Sequence, residues 1–312
     1  MRDSLGDDSR LVVVVTGANR GIGRAIARQL LLQTQKPVIV YLTARSVERG
    51  QATFDEIKRE QLTRRPQPGG GGGGGGSGSD GGAAAPQENE LRFHQLDVAD
   101  PSSIRVFIDY MTLMHGALSI DVLINNAGGV VKGADGQAVR TCTAAAARQC
   151  VAMNYGTAVA MTEMALPHMR PGGRVEFLVT AVAQLGIFSG DLPRVLTSDA
   201  LTRAGLDIVE NGFVSSVEKG TFAAYGFPPM PFAVAKAGLI AYARLLARAP
   251  DDRRLLFAAI CPGYVQTDMT GPYAPLTPDE GAETPVYVAL ADSKRLWRHN
   301  GGLWKRLKPL KW

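Results

Sequence analysis

Cysteine is scarce in this 312-residue chain, and the three present do not cluster. Cys142, Cys150 and Cys261 form no CxxC pair and no Cys/His group. That argues against a disulfide framework and a structural zinc site, and it fits a reducing compartment. No apolar run reaches the length of a membrane span. The opening stretch, MRDSLGDDSR, is too acidic and polar for a signal or transit peptide, so the expected location is cytoplasmic. Charge is modest too: 34 Lys+Arg against 29 Asp+Glu leave +5, a mild bias toward anionic ligands such as phosphates. Lys305, Arg306, Lys308 and Lys311, beside Trp304 and Trp312, read as a solvated, frayed tail. The glycine-rich tract 69–82 lacks the arginine and aromatic residues of nucleic-acid-binding tracts, so no nucleic-acid partner is expected. The wider stretch 66–86 cannot bury enough surface to offset its ordering entropy and reads as a disordered surface loop.

What is present alternates. Residues 11–15, LVVVV, are a β-branched run of the kind buried on both faces of a sheet. Further strands are expected at 38–42, 91–96, 122–124, 175–179 and 255–260, separated by helical patterns at 22–32, 47–62, 104–114, 144–169 and 233–247. Strands separated by helices imply right-handed crossovers and a parallel sheet covered on both sides. The fold class is therefore α/β, a single doubly wound Rossmann-type domain over 1–312. The stretch 181–231 interrupts the rhythm, carries a helical pattern at 198–210, and is expected to pack over the carboxyl edge of the sheet as a substrate lid.

Between the first strand and first helix stands Thr16-Gly17-Ala18-Asn19-Arg20-Gly21-Ile22-Gly23. Gly17 suits the tight turn, Gly21 lets the backbone approach a pyrophosphate, and Gly23 lets the helix pack closely. The phosphates then meet the positive end of the helix, with Asn19, Arg20 and Ile22 completing the turn. Three more strand ends carry matching features. Asp97 and Val98 are placed to hold an adenine edge, and Asn125, Ala127 and Gly128 to receive a ribose. Pro262, Gly263, Val265 and Thr267 are placed to face a nicotinamide carboxamide. The second strand ends without the acid that holds the ribose hydroxyls of NAD, and Arg45 follows instead. Arg45 and Arg20 are expected to converge on one phosphate and to favour NADP(H).

With these motifs the chain resembles the short-chain dehydrogenase/reductase family over nearly its whole length, and within it the monomeric NADPH-dependent carbonyl reductases. The stretches carrying the likeness include RFHQLD at 92–97, CPGYVQTDM at 261–269 and GAETPVY at 281–287. The resemblance implies hydride transfer to small-molecule carbonyl compounds, namely aldehydes, ketones and quinones. By position it implies that Lys236 lowers a phenol pKa and binds the nicotinamide ribose, and that Asn154 holds a water of the proton relay. Thr180 falls at the serine that bonds the substrate carbonyl, and threonine keeps the hydroxyl. The catalytic tyrosine position falls on Phe232, one helical turn before Lys236, and phenylalanine cannot donate a proton. Tyr225 has the wrong spacing to replace it. An impaired reductase is therefore expected, with a catalytically inactive NADP(H)-binding sensor or scaffold as the alternative. Cys261 reads as a buried structural thiol beside the nicotinamide loop. No metal site is expected.

Overall fold

The computed structural model describes residues 10–34, 36–64, 88–131, 133 and 141–312; the glycine-rich stretch 66–86 lies outside the described residues. In the first strand, β1 (Leu11–Val15), Val12 and Val14 join one hydrophobic cluster while Val13 and Val15 join another. The pleat sends alternate side chains to opposite faces, so a sheet covered on both sides needs a continuous apolar run. The remaining strands are β2 (Val38–Ala44), β3 (Glu90–Gln95), β4 (Ile120–Asn125), β5 (Met169–Leu178), β6 (Leu256–Ile260), β7 (Leu303–Lys305) and β8 (Lys308–Leu310). Among the described residues they form one sheet in the order β3-β2-β1-β4-β5-β6-β7-β8, parallel except for the antiparallel β7–β8 pair.

The helices are α1 (Gly21–Gln33), α2 (Val47–Arg64), α3 (Pro101–His115), α4 (Ala144–Val151), α5 (Thr157–Ala165), α6 (Leu192–Thr197), α7 (Arg203–Glu218), α8 (Pro231–Arg248), α9 (Pro278–Leu290) and α10 (Ser293–Trp297). Residues of α1, α2 and α9 bury themselves on one face of the sheet, and residues of α3, α4, α5 and α8 on the other. The connection after β1 runs toward β2, and the connection after β4 runs toward β5, in opposite directions along the sheet. Loops at the carboxyl ends of β1 and β4 therefore diverge, which opens the crevice where ligands of such sheets bind.

Three expectations need correction. The helix expected over 144–169 is not continuous: a π-turn at Ala152–Gly156 separates α4 from α5, and a 3-10 turn at Leu166–His168 leads directly into β5. The helical pattern at 198–210 lies later, in α7, where Thr202 caps the start by accepting the Gly205 N–H. In the insertion, α7 lies against α4 and α8, on the flank of the helix layer. The basic tail is not frayed. β7 pairs with β6, and Trp304 is 4% exposed with its ring against Tyr287 and His299. Burying that indole outweighs the cost of ordering the neighbouring cations, of which Arg306, Lys308 and Lys311 remain in solvent.

Candidate active site

The turn after β1 is built around close contacts that no side chain would survive. Gly17 has φ +62° and Gly21 φ +54°, the left-handed region that glycine enters freely. A Cβ on Gly23 would stand 2.4 Å from Asn126 Nδ2 and 2.7 Å from the Gly17 carbonyl oxygen. Asn126 Nδ2 donates to the carbonyls of Thr16 at 2.8 Å and Gly17 at 3.1 Å. Thr16 Oγ1 in turn accepts the Asn126 and Ala127 N–H groups at 3.0 Å each. The loops after β1 and β4 are thereby clamped together. Arg20 is the N-cap of α1, yet no side chain caps that helix and no acid lies in its first turn. Uncapped amides and the helix dipole make this end receptive to an anion. The backbone of Asn19 is held from α2 by Thr53 Oγ1 at 2.9 Å, and Ile22 packs against the α1–α9 cluster.

The other strand ends meet the same crevice. A Cβ on Gly21 would touch Thr267 Cγ2 at 3.3 Å, so the loop after β6 faces the glycine turn. In that loop Gly263 has φ +95°, Val265 is buried and bridges to Leu276, and Thr267 bonds Thr270. Asp97 Oδ1 accepts the Ala99 N–H at 3.0 Å, closing the turn that carries half-buried Val98. The two arginines do not converge. Arg20 donates to Asp268 Oδ2 at 2.9 Å across the mouth of the crevice, while Arg45 projects into solvent at the end of β2. Asn125 is turned away as well, its Nδ2 donating to Thr162 Oγ1 at 3.0 Å in α5. The asparagine that shapes the crevice is Asn126. The pair stands side by side in the sequence, and only the end of β4 at Asn125 tells which one projects beyond the sheet.

Lys236, on α8, is 5% exposed, and its Nζ donates to the Leu178 carbonyl at 2.8 Å. A Cβ on Gly128 would lie 2.7 Å from Asn154 Oδ1 and 3.4 Å from Lys236 Nζ, so the three residues meet at one point. Asn154 is fully buried in the π-turn. Its amide accepts the Gly129 N–H at 3.0 Å and donates to the Gly129 and Cys150 carbonyls at 2.8 and 3.0 Å. The extra residue of a π-turn re-aims this side chain out of the regular helical register. Burial lowers the Lys236 ammonium to about 8, with the neighbouring Cys150 opposing. The Cys150 thiol is itself pushed up to about 11 by burial. The Phe232 ring centroid lies 5.6 Å from Lys236 Nζ, where the ring face stabilises the cation but offers no proton.

Thr180 follows β5, and its Oγ1 accepts the Val182 N–H at 3.2 Å. That leaves the hydroxyl proton free for an oxygen in the crevice. Tyr225 is 66% exposed and lines a 310 Å³ groove with Leu192, Ile208 and Phe227, a group that includes none of the expected site residues. Cys261 is buried, and its sulfur accepts the Ala181 N–H at 3.1 Å. A dinucleotide fits this architecture. The glycine turn is a cradle that a Cβ would fill, and the uncapped start of α1 supplies amides for a diphosphate. Among the described residues no cluster of three or more His, Cys, Asp or Glu is placed to hold a metal ion. No described helix is long and apolar enough to cross a membrane.

The model of the family described as short chain dehydrogenase matches residues 11–66 and 80–189. Human carbonyl reductase (NADPH) 1 is 36% identical over 286 residues, which cover 89% of this chain and 90% of that protein. Human carbonyl reductase (NADPH) 3 is 36% identical over the same share of each chain. Among solved structures, salutaridine reductase from Papaver somniferum superposes with a TM-score of 0.72 at 25% identity, covering 91% of this chain and 97% of that one. The chain belongs to the short chain dehydrogenase family and is, within it, similar to the NADPH carbonyl reductases.

Proposed function

We propose that the chain binds NADP(H) in the crevice between the β1 and β4 loops and slowly reduces small-molecule carbonyl compounds. The observation that carries this reading is the meeting of Lys236, Asn154 and Gly128 beside the glycine turn. When bound, the nicotinamide supplies the hydride. The amides at the start of α1 hold the diphosphate, and Ala127 and Gly128 leave room for the ribose. Asp97 and Val98 border the adenine, while the loop from Pro262 to Thr267 borders the nicotinamide side. The Thr180 hydroxyl donates a hydrogen bond to the carbonyl oxygen and keeps its proton. Asn154, locked to Gly129 on both sides, keeps the relay in register with Lys236.

Phe232 sets the limit on this chemistry. Without a phenol, the proton must come from Lys236 Nζ, directly or through water. Quinones suffer least from the loss, because their reduced oxyanion is a phenolate with a conjugate acid near 10. An aldehyde or ketone gives a far more basic alkoxide, which needs its proton as it forms. On the same reading the protein works in the cytosol as a monomer, and the packing of α7 against α4 and α8 supports the monomer.

Phe232 also favours a second reading, an NADP(H)-binding sensor or scaffold without turnover. Fluorescence titration with NADPH, followed in the same cuvette by a quinone and then an aromatic aldehyde, separates the two. Saturable binding with slow oxidation, faster for the quinone, is the expected result. Binding with no oxidation selects the sensor or scaffold, and no binding at all eliminates both.

A further inference from the structure

The turn that carries Thr180 is held by a residue far away in the sequence. Ala183 N–H donates to the Thr180 carbonyl at 3.1 Å, and Val182 N–H to Thr180 Oγ1 at 3.2 Å. These two bonds fix where the hydroxyl stands. The turn is anchored to the rest of the fold at two points. Ala181 N–H donates to Cys261 Sγ at 3.1 Å, and Trp312 Nε1 donates to the Ala183 carbonyl at 2.7 Å, bridging 129 positions of chain. Ala183 is fully buried, so its carbonyl depends on that indole rather than on solvent.

The chain goes to some length to deliver Trp312 there. The β7–β8 hairpin turns through Arg306 and Leu307 at φ 51° and 61°, a left-handed pair that residues with a Cβ rarely adopt. Leu307 N–H donates to Thr284 Oγ1 at 3.2 Å, and Trp304 is buried just before the turn. Such strain persists only where the surroundings determine the backbone. Beyond β8, Trp312 packs against the larger hydrophobic cluster, the one that also contains Ala183 and Phe188.

We propose that Trp312 is a positioning residue for the Thr180 hydroxyl. Its indole N–H fixes the Ala183 carbonyl, and the turn transmits that constraint to Oγ1. The inference rests on the role given to Thr180 above, and the test distinguishes the two. Trp312→Phe keeps a ring and removes the indole N–H. Trp312→Tyr, which keeps a ring and displaces the donor, is the second variant should the first fold poorly.

The first readout is amide exchange followed by NMR on the protein without cofactor. Exchange at Val182 and Ala183 is expected to quicken about 2- to 10-fold, the scale of one neutral hydrogen bond, while β1 amides stay unchanged. The second is quinone reduction with NADPH in the Phe232→Tyr chain. There Trp312→Phe is expected to lower kcat by about the same factor with NADPH affinity unchanged, and to have no further effect when Thr180→Val is also present. Unchanged exchange at Val182 and Ala183 overturns the proposal, as does an equal kcat loss with and without the Thr180 hydroxyl. If Thr180→Val alone leaves kcat untouched, the role of Thr180 fails and the proposal falls with it.

Discussion

One helical turn separates Phe232 from Lys236, and the ring already lies beside the lysine nitrogen at 5.6 Å. A phenol oxygen added at this ring is therefore the smallest change that tests the site. Phe232→Tyr is expected to raise carbonyl reduction by about 10²–10⁴-fold, the usual contribution of a positioned general acid. Steady-state kcat with a quinone and an aldehyde measures it, and an unchanged rate would mean that the hydride geometry is lost elsewhere. The parent chain should also show a distinctive pH profile. Lys236 keeps its proton below about 8 and loses it above, so kcat/KM should fall as pH rises through that value. The meeting of Lys236, Asn154 and Phe232 was anticipated only through the family resemblance, which places them by position along the chain. The roles of Asn126 and Trp312 were not anticipated, because each acts on a partner more than a hundred positions away, Thr16 and Ala183. Arg20 was visible as a cation, but not its pairing with Asp268.

At the scale of elements, hydrophobic periodicity revealed the strands through β6 and most core helices, but it cannot see a π-turn, which leaves the apolar pattern of 144–165 unbroken. Three-residue strands such as β7 and β8 are too short to have a period, and Pro285 inside α9 disguises that helix. The family resemblance implied that the insertion covers a helix face, but not that a buried acid stands where α7 meets α8. Glu210 is 1% exposed with neither oxygen hydrogen-bonded, and it lies where a Cβ on Gly238 would meet Oε1 at 2.2 Å. Nearby, Tyr155 donates to Asp207, and Arg203 bonds both Tyr155 and Glu163. Burial, reinforced by Asp207, raises the Glu210 pKa well above the ordinary carboxylate range. The folded state then keeps a proton that the unfolded chain releases above about 4.3, so stability should decline as pH rises past that value. Denaturant midpoints measured between pH 5 and 8 should fall, and Glu210→Gln should reduce the slope. Glu176, buried on β5 and raised in the same direction, preserves part of it. An unaltered slope in Glu210→Gln would show that α7 yields enough to hydrate the carboxylate.

Across the whole molecule, the crevice draws on the ends of β1, β2, β3, β4 and β6 and on α8, so cofactor binding and global unfolding are linked. A ligand at 100 times its Kd adds about 2.7 kcal/mol to the folded state, which a thermal melt resolves as a shift of several degrees. The size of the shift with NADPH against NADH then reports on the 2′-phosphate. Arg20 and Asp268 are 64% and 67% exposed, and an exposed ion pair is worth at most about 1 kcal/mol. A 2′-phosphate, with more charge and more acceptor oxygens, should therefore draw Arg20 from Asp268 toward Arg45. NADPH is expected to raise Tm more than NADH at equal concentration. Asp268→Asn should widen that difference by releasing Arg20, whereas Arg20→Ala and Arg45→Ala should each narrow it. Equal shifts for the two cofactors in the parent chain would mean that neither arginine reaches the phosphate, and that the neutral end of β2 tolerates both nucleotides without choosing.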